Sequence, residues 1–166
     1  MKILALLYGT QLFGRERENI ECFKAFDQLG AKVEVFGSSR ELHGGDVGLL
    51  LEKLQFKVGE LAFGSHFALS YFQTIKGYWY KQIYRIFSCS WRMWRRERKT
   101  KPDYVFLGGT MEYLYVWPWL LFSNVKVIFR VEDQPVWDSR FHLFIWKRLV
   151  NRADLVVACS QFIAED

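Results

Sequence analysis

The segment Phe129–Asp138, FRVEDQPVWD, sets two carboxylates, Glu132 and Asp133, directly behind an apolar run with the pattern of a buried strand. Adjacent acids beside apolar walls are pushed toward the protonated form, so either residue can act as a general base toward a hydroxyl group. Asp133 and Asp138 suit the N-cap of a following helix equally well, and residue type alone leaves the two roles even. Two glycine loops also have the spacing for ligand contact. Gly14 closes the stretch GTQLFG just ahead of a helix start, where bare backbone amides can meet a phosphate or a sugar, unless the glycine serves only the turn. Gly108-Gly109-Thr110 opens another helix, and Glu112 sits in its first turn, where a negative charge suits the helix dipole. GTQLFG is not G-x-G-x-x-G, and Val35-Phe36-Gly37 stands where a ribose-binding acid is needed, which disfavours a nicotinamide site.

A regular alternation of elements must position these loops. Ile3–Tyr8 is a continuous apolar run, the mark of a strand covered on both faces. A helix from about Arg15 follows, with Ile20, Phe23, Phe26 and Leu29 at helical spacing and Gly30 as its stop. Lys32–Phe36 is the second strand, which completes a βαβ unit. Between them and Pro102 the pattern predicts a short helix over Val47–Leu54, a short edge strand over Glu60–Phe63, and a long helix from Ala68 to Lys99 with a break at Gly77. The rhythm then returns with strands at Tyr104–Leu107, Val125–Val131 and Leu155–Ala158, and with helices from the Gly108 loop through Trp119 and over Phe141–Val150. The fold class is α/β: a doubly wound, mostly parallel Rossmann-like sheet with helices on both faces. Ser160 has the character of an N-cap for a helix barely begun at Asp166. Either Gln161–Asp166 is a short cap or the chain is cut from a longer protein; we expect the cut, with one Rossmann-like domain over residues 1–166.

Charge is concentrated in one place. Lys81–Lys101 holds eight Lys or Arg and one acid, although the 166-residue chain is only +5 overall. On a helical wheel Lys81, Arg85, Arg92, Arg96 and Lys99 fall on one side. Trp79, Ile83, Ile86, Phe87, Ser90 and Trp94 fall on the other, which is expected to face the sheet, with Trp91 between the two. The plain reading is an ordinary solvated helix face. The sharper one is a basic face, Arg92, Arg95, Arg96 and Lys99, that docks on anionic lipid headgroups. Nucleic acid is disfavoured, since the rings needed for base stacking fall on the side expected to be buried. Three widely spaced cysteines with no C-x-x-C exclude a disulfide framework or a zinc site and fit a reducing cytoplasm. The apolar run over residues 114–122 contains Pro118 and is too short to span a bilayer.

With these residues in place, the chain resembles the N-terminal half of a GT-B glycosyltransferase, of the group that contains many retaining sugar transferases. That group's G-G-x-E loop is similar to Phe13-Gly14-Arg15-Glu16, and its following strand entry to Gly30-Ala31-Lys32-Val33. Its K-P-D-h-h motif resembles Lys101–Val105, and its A-D-h-h-h-x-S-x-F motif resembles Ala153–Phe162 with one extra residue. The resemblance implies that Gly14, Glu16, Gly108, Gly109, Thr110 and Glu112 line a substrate cleft, with Glu132 and Asp133 as candidates for its base. It implies a nucleotide-sugar donor held mainly by a C-terminal domain, a lipid-linked or polysaccharide acceptor at the inner membrane face, and no metal or other cofactor. Phe13 departs from the first glycine of the pair, and Glu132-Asp133 stands where many members have His-Asp, which leaves retention or inversion open. A non-catalytic α/β scaffold recruited to an anionic membrane is the alternative, and a nucleotide-binding regulator a weaker third.

Overall fold

Apolar strands that hide both faces need helices on both sides, and that is the arrangement observed. The computed structural model describes residues 1–8, 14–38, 45–61, 63, 78–131 and 140–158. Its strands are β1 (Lys2–Leu6), β2 (Lys32–Ser38), β3 (Lys57–Leu61), β4 (Tyr104–Leu107), β5 (Lys126–Val131) and β6 (Leu155–Ala158). The helices among the described residues are α1 (Gly14–Gln28), α2 (Asp46–Lys53), α3 (Tyr78–Thr100), α4 (Thr110–Phe122) and α5 (Arg140–Arg152). One six-stranded sheet forms in the order β3-β2-β1-β4-β5-β6, and every neighbouring pair is parallel. The doubly wound Rossmann-like fold read from the sequence is therefore the fold present.

Strand alternation divides the core in two. Ile3, Ala5, Leu7, Val35, Phe106 and Ile128 face α1 and α2, against Ile20, Phe23, Val47 and Leu51. Leu4, Leu6, Val105, Leu107, Val127 and Phe129 face the opposite layer, against Cys89 and Met93 of α3, Tyr115 and Trp119 of α4 and Leu149 of α5. Phe23 meets Phe106 edge-on with centroids 5.4 Å apart, a favoured aromatic geometry.

Local chemistry sets the boundaries. Gly30 adopts φ +79°, and the Gly30 and Ala31 amides donate to the Asp27 and Phe26 carbonyls, which closes α1 in a Schellman cap. Leu29 lies past the end of α1 and is exposed, so it is not the core residue its spacing predicts. Pro118 sits within α4, which runs on to Phe122 rather than stopping near Trp119. At the amino end of the sheet two aspartates act alike. Asp103 Oδ2 accepts the Lys2 amide at 2.7 Å, and Asp154 Oδ2 accepts the Val127 amide at 2.8 Å. Each carboxylate, placed just before its own strand, holds the first turn of chain in the neighbouring one.

Helix α3 turns Ile86, Ser90 and Trp94 inward as expected, the Trp79 side chain lies outside the described residues, and the rotation departs from expectation at Ile83 and Phe87. Its buried face carries Gln82, Cys89, Ser90 and Met93, and three of its polar groups bond α4. The Tyr115 hydroxyl donates to Gln82 Oε1 at 3.1 Å, and Ser90 Oγ donates to the Tyr115 carbonyl at 3.4 Å. Trp119 Nε1 and Ser123 Oγ each donate to the Glu97 carboxylate at 2.6 Å. These bonds fix the helix so that Ile83 and Phe87, expected against the sheet, point to solvent. Arg96, expected on the outer face, is half-buried and pairs with Glu34 of β2. The expected start of this helix at Ala68 lies outside the described residues.

Candidate functional site

In an open parallel sheet the ligand crevice lies beyond the carboxyl ends of the strands. Here that rim, above β1, β4 and β5, holds a cluster of buried polar side chains. Arg130, the penultimate residue of β5, is only 3% exposed, a rare position for a guanidinium. It donates to Asn19 Oδ1 at 2.9 Å and pairs with Glu18, both on α1. Glu16 is buried one turn earlier and accepts from Arg15 Nε at 3.1 Å, while Arg15 Nη2 donates to the Tyr8 carbonyl at 2.7 Å. The start of α1 is thus tied to the chain leaving β1 and to the end of β5.

The two glycines after β4 owe their identity to this cluster. A Cβ on Gly108 would lie 2.4 Å from Asn19 Nδ2, too close for any side chain without displacing a buried amide. A Cβ on Gly109 would lie 3.0 Å from Glu112 Oε2 and 3.8 Å from Arg15 Nη1. Gly109 is the N-cap of α4, Thr110 its first residue, and Glu112, fully buried in the first turn, brings its carboxylate back toward the cap. Gly14 is different. Open space surrounds the place its Cβ would take, so no described side chain crowds the first residue of α1. A ligand can approach the amides there closely.

The structure therefore brings Gly14, Glu16, Gly108, Gly109, Thr110 and Glu112 to one rim. Glu132 and Asp133 lie outside the described residues, immediately after Val131. Arg92, Arg95, Arg96 and Lys99 are on α3, away from the rim. Asn19 and Arg130 went unnoticed in the sequence; an arginine inside the otherwise apolar strand KVIFRV was the available signal. No three His, Cys, Asp or Glu side chains among the described residues come together as a metal-ion set.

A separate cavity of about 600 Å³ opens between α4 and α5, lined by Tyr113, Leu120, Asn124, Arg148 and Arg152 among others. Burial raises the Tyr113 phenol above its ordinary range, opposed by the nearby Arg148 and Arg152. Arg152 is engaged in the fold, donating to the Ser123 and Val125 carbonyls. This cavity reaches the amino end of β5 at Asn124, away from the strand ends where the polar cluster sits.

Against known proteins, the model of Glycosyltransferase Family 4 matches residues 16–166. No curated protein matches in sequence. Among solved structures, Anabaena HepE in complex with UDP-glucose is 18% identical with TM-score 0.67, over 97% of this chain and 38% of that one. A glycosyltransferase from Rickettsia africae is 19% identical with TM-score 0.61, over 99% and 38%. MurG of Acinetobacter baumannii is 16% identical with TM-score 0.57, over 95% and 41%. The chain spans about two fifths of the length of these structures, and at such identities the likeness is one of fold.

Proposed function

Because this chain belongs to Glycosyltransferase Family 4, we propose that it forms the acceptor-side, N-terminal domain of a GT-B enzyme that moves a sugar from a nucleotide-sugar donor to an acceptor hydroxyl. The observation that carries the reading is the rim itself. An uncrowded Gly14 and a buried polar cluster under Gly108 and Gly109 stand together where a parallel sheet receives its ligand. The solved HepE complex with UDP-glucose shares this fold, which supports a nucleotide sugar as donor. The donor is held mainly by a second domain, and the reaction takes place in the cleft between the two. Glu132 and Asp133 follow β5 directly, and one of them accepts the proton of the attacking hydroxyl.

The acceptor is lipid-linked or a nascent polysaccharide, met at the inner face of the membrane from the cytoplasm. The exposed cations of α3, Arg95 and Lys99, support this; Arg92 donates to the Glu60 carbonyl and Arg96 pairs with Glu34, so both contribute to the fold. No described helix is long and apolar enough to cross a membrane.

The test is transfer of labelled sugar from nucleotide-sugar donors by the full-length enzyme, with Asp133→Asn and Glu132→Gln measured separately. Loss of the base lowers turnover by about a hundredfold or more. Unchanged turnover in both variants removes the acids from the chemistry, and no transfer from any donor overturns the reading.

A further inference from the structure

The locked rotation of α3 leaves a strip of large apolar residues in solvent. Tyr80, Ile83, Tyr84, Phe87 and Trp91 are exposed by 54%, 44%, 71%, 62% and 58%. At about 100° per residue these five fall within a band about 100° wide, three turns long. Arg98 continues along the same band, with Arg95 at its margin and Arg92 and Lys99 farther round on that flank. The one acid of the segment, Glu97, is turned away to bond Trp119 of α4 and Ser123 at its C-cap. At the junction of rings and charges, Trp91 stacks on Trp94 at 4.8 Å, and the Arg98 guanidinium lies 3.7 Å from the centre of the Trp94 ring.

We propose that this band is a membrane-insertion edge: Tyr80, Ile83, Tyr84, Phe87 and Trp91 enter the boundary between headgroups and acyl chains of an anionic bilayer, while Arg95, Arg98 and Lys99 bind its phosphates. The proposal rests on the membrane reading above and changes its physical basis from adsorption of a basic face to immersion of an aromatic one. Charge complementarity selects the occupant. A second protein would need a matching acidic patch continuous with an apolar groove, whereas an anionic bilayer offers both along any line across its surface. Tyrosine and tryptophan suit that depth because their rings are apolar and their polar edges remain hydrated. Arg98 held over Trp94 lets a cation and two rings occupy the headgroup layer together. The polar bonds to α4 keep the helix from rolling these rings into the core.

The full chain is sedimented with vesicles of phosphatidylcholine alone and of phosphatidylcholine mixed with phosphatidylglycerol, at low and at high salt. The proposal expects binding to the mixed vesicles that salt weakens without abolishing, since screening removes only the ionic part. Phe87→Ser with Trp91→Ser then weakens partition by roughly tenfold per ring and removes the salt-resistant fraction. Arg95, Arg98 and Lys99 changed to Ser weaken it by about a hundredfold at low salt while leaving the salt-resistant fraction in place. Binding that high salt abolishes, with the ring variant equal to the parent, overturns insertion and leaves the adsorbed basic face standing. Equal binding to neutral vesicles overturns the role of the cations. Indifference of the parent to both kinds of vesicle overturns insertion and the membrane reading together. All the substituted positions are exposed, so circular dichroism of each variant should match the parent.

Discussion

At the rim of the sheet, charged and amide side chains are inside; on α3, tyrosine, phenylalanine and tryptophan are outside. Both places reverse the usual partition, and they do so by different means. Arg130 can be buried because Asn19 and Glu18 meet its guanidinium with fixed partners, so the desolvation it suffers is met by charge-assisted hydrogen bonds. The α3 rings have no such compensation in water. Their exposure is enforced from the opposite side of the helix, where Gln82, Ser90 and Glu97 are committed to α4. The rim is thus reversed to be rigid, and α3 is reversed to be available.

The difference can be broken by mutation. Asn19→Leu should have the largest effect on stability, about 3 kcal/mol by urea denaturation, because it strands a buried guanidinium N–H and removes the amide that packs under Gly108. Gly108→Ala should cost about 2 kcal/mol in the same measurement, since the new methyl must displace Asn19. The triple change of Arg95, Arg98 and Lys99 to Ser should move stability by no more than about 1 kcal/mol, because what it removes is the exposed Arg98 contact with Trp94 and two cations in the last turn of α3. If that surface change destabilised the protein as much as either rim change, α3 would be a fold element like the rim and the contrast would disappear.

How much of this was legible in the sequence follows from what each feature depends on. The strands were clear because burial on both faces leaves continuous apolar runs, as in Ile3–Leu7 and Val127–Phe129, and the Gly30 stop was clear because its φ requires it. The glycine loops of the rim were visible as spacing, but the reason for Gly108 and Gly109 was not. Their crowding comes from Asn19 and Glu112, and Asn19 lies some ninety residues away in the chain. The α3 error has a definite origin. A wheel built on hydrophobicity alone turns Ile83 and Phe87 inward, while the true rotation is set by side-chain hydrogen bonds to Tyr115, Trp119 and Ser123, which periodicity does not register. The cation mistaken for solvent-facing, Arg96, is explained by Glu34, an acid in the middle of β2 that needed a partner.

Asp103 and Asp154 share a further effect. Each pins a neighbouring strand at the edge of the molecule opposite the crevice, so the two set how far β1 and β5 advance toward it. A parallel strand that slips along its partners moves its exit point by one step of the pleat, and the loop it feeds moves with it. The level at which β1 and β5 end, at Leu6 and Val131, is therefore decided at the far end of those strands. The proposed sugar transfer should therefore respond to Asp103→Ala or Asp154→Ala, although both residues lie at the opposite edge of the sheet from the rim.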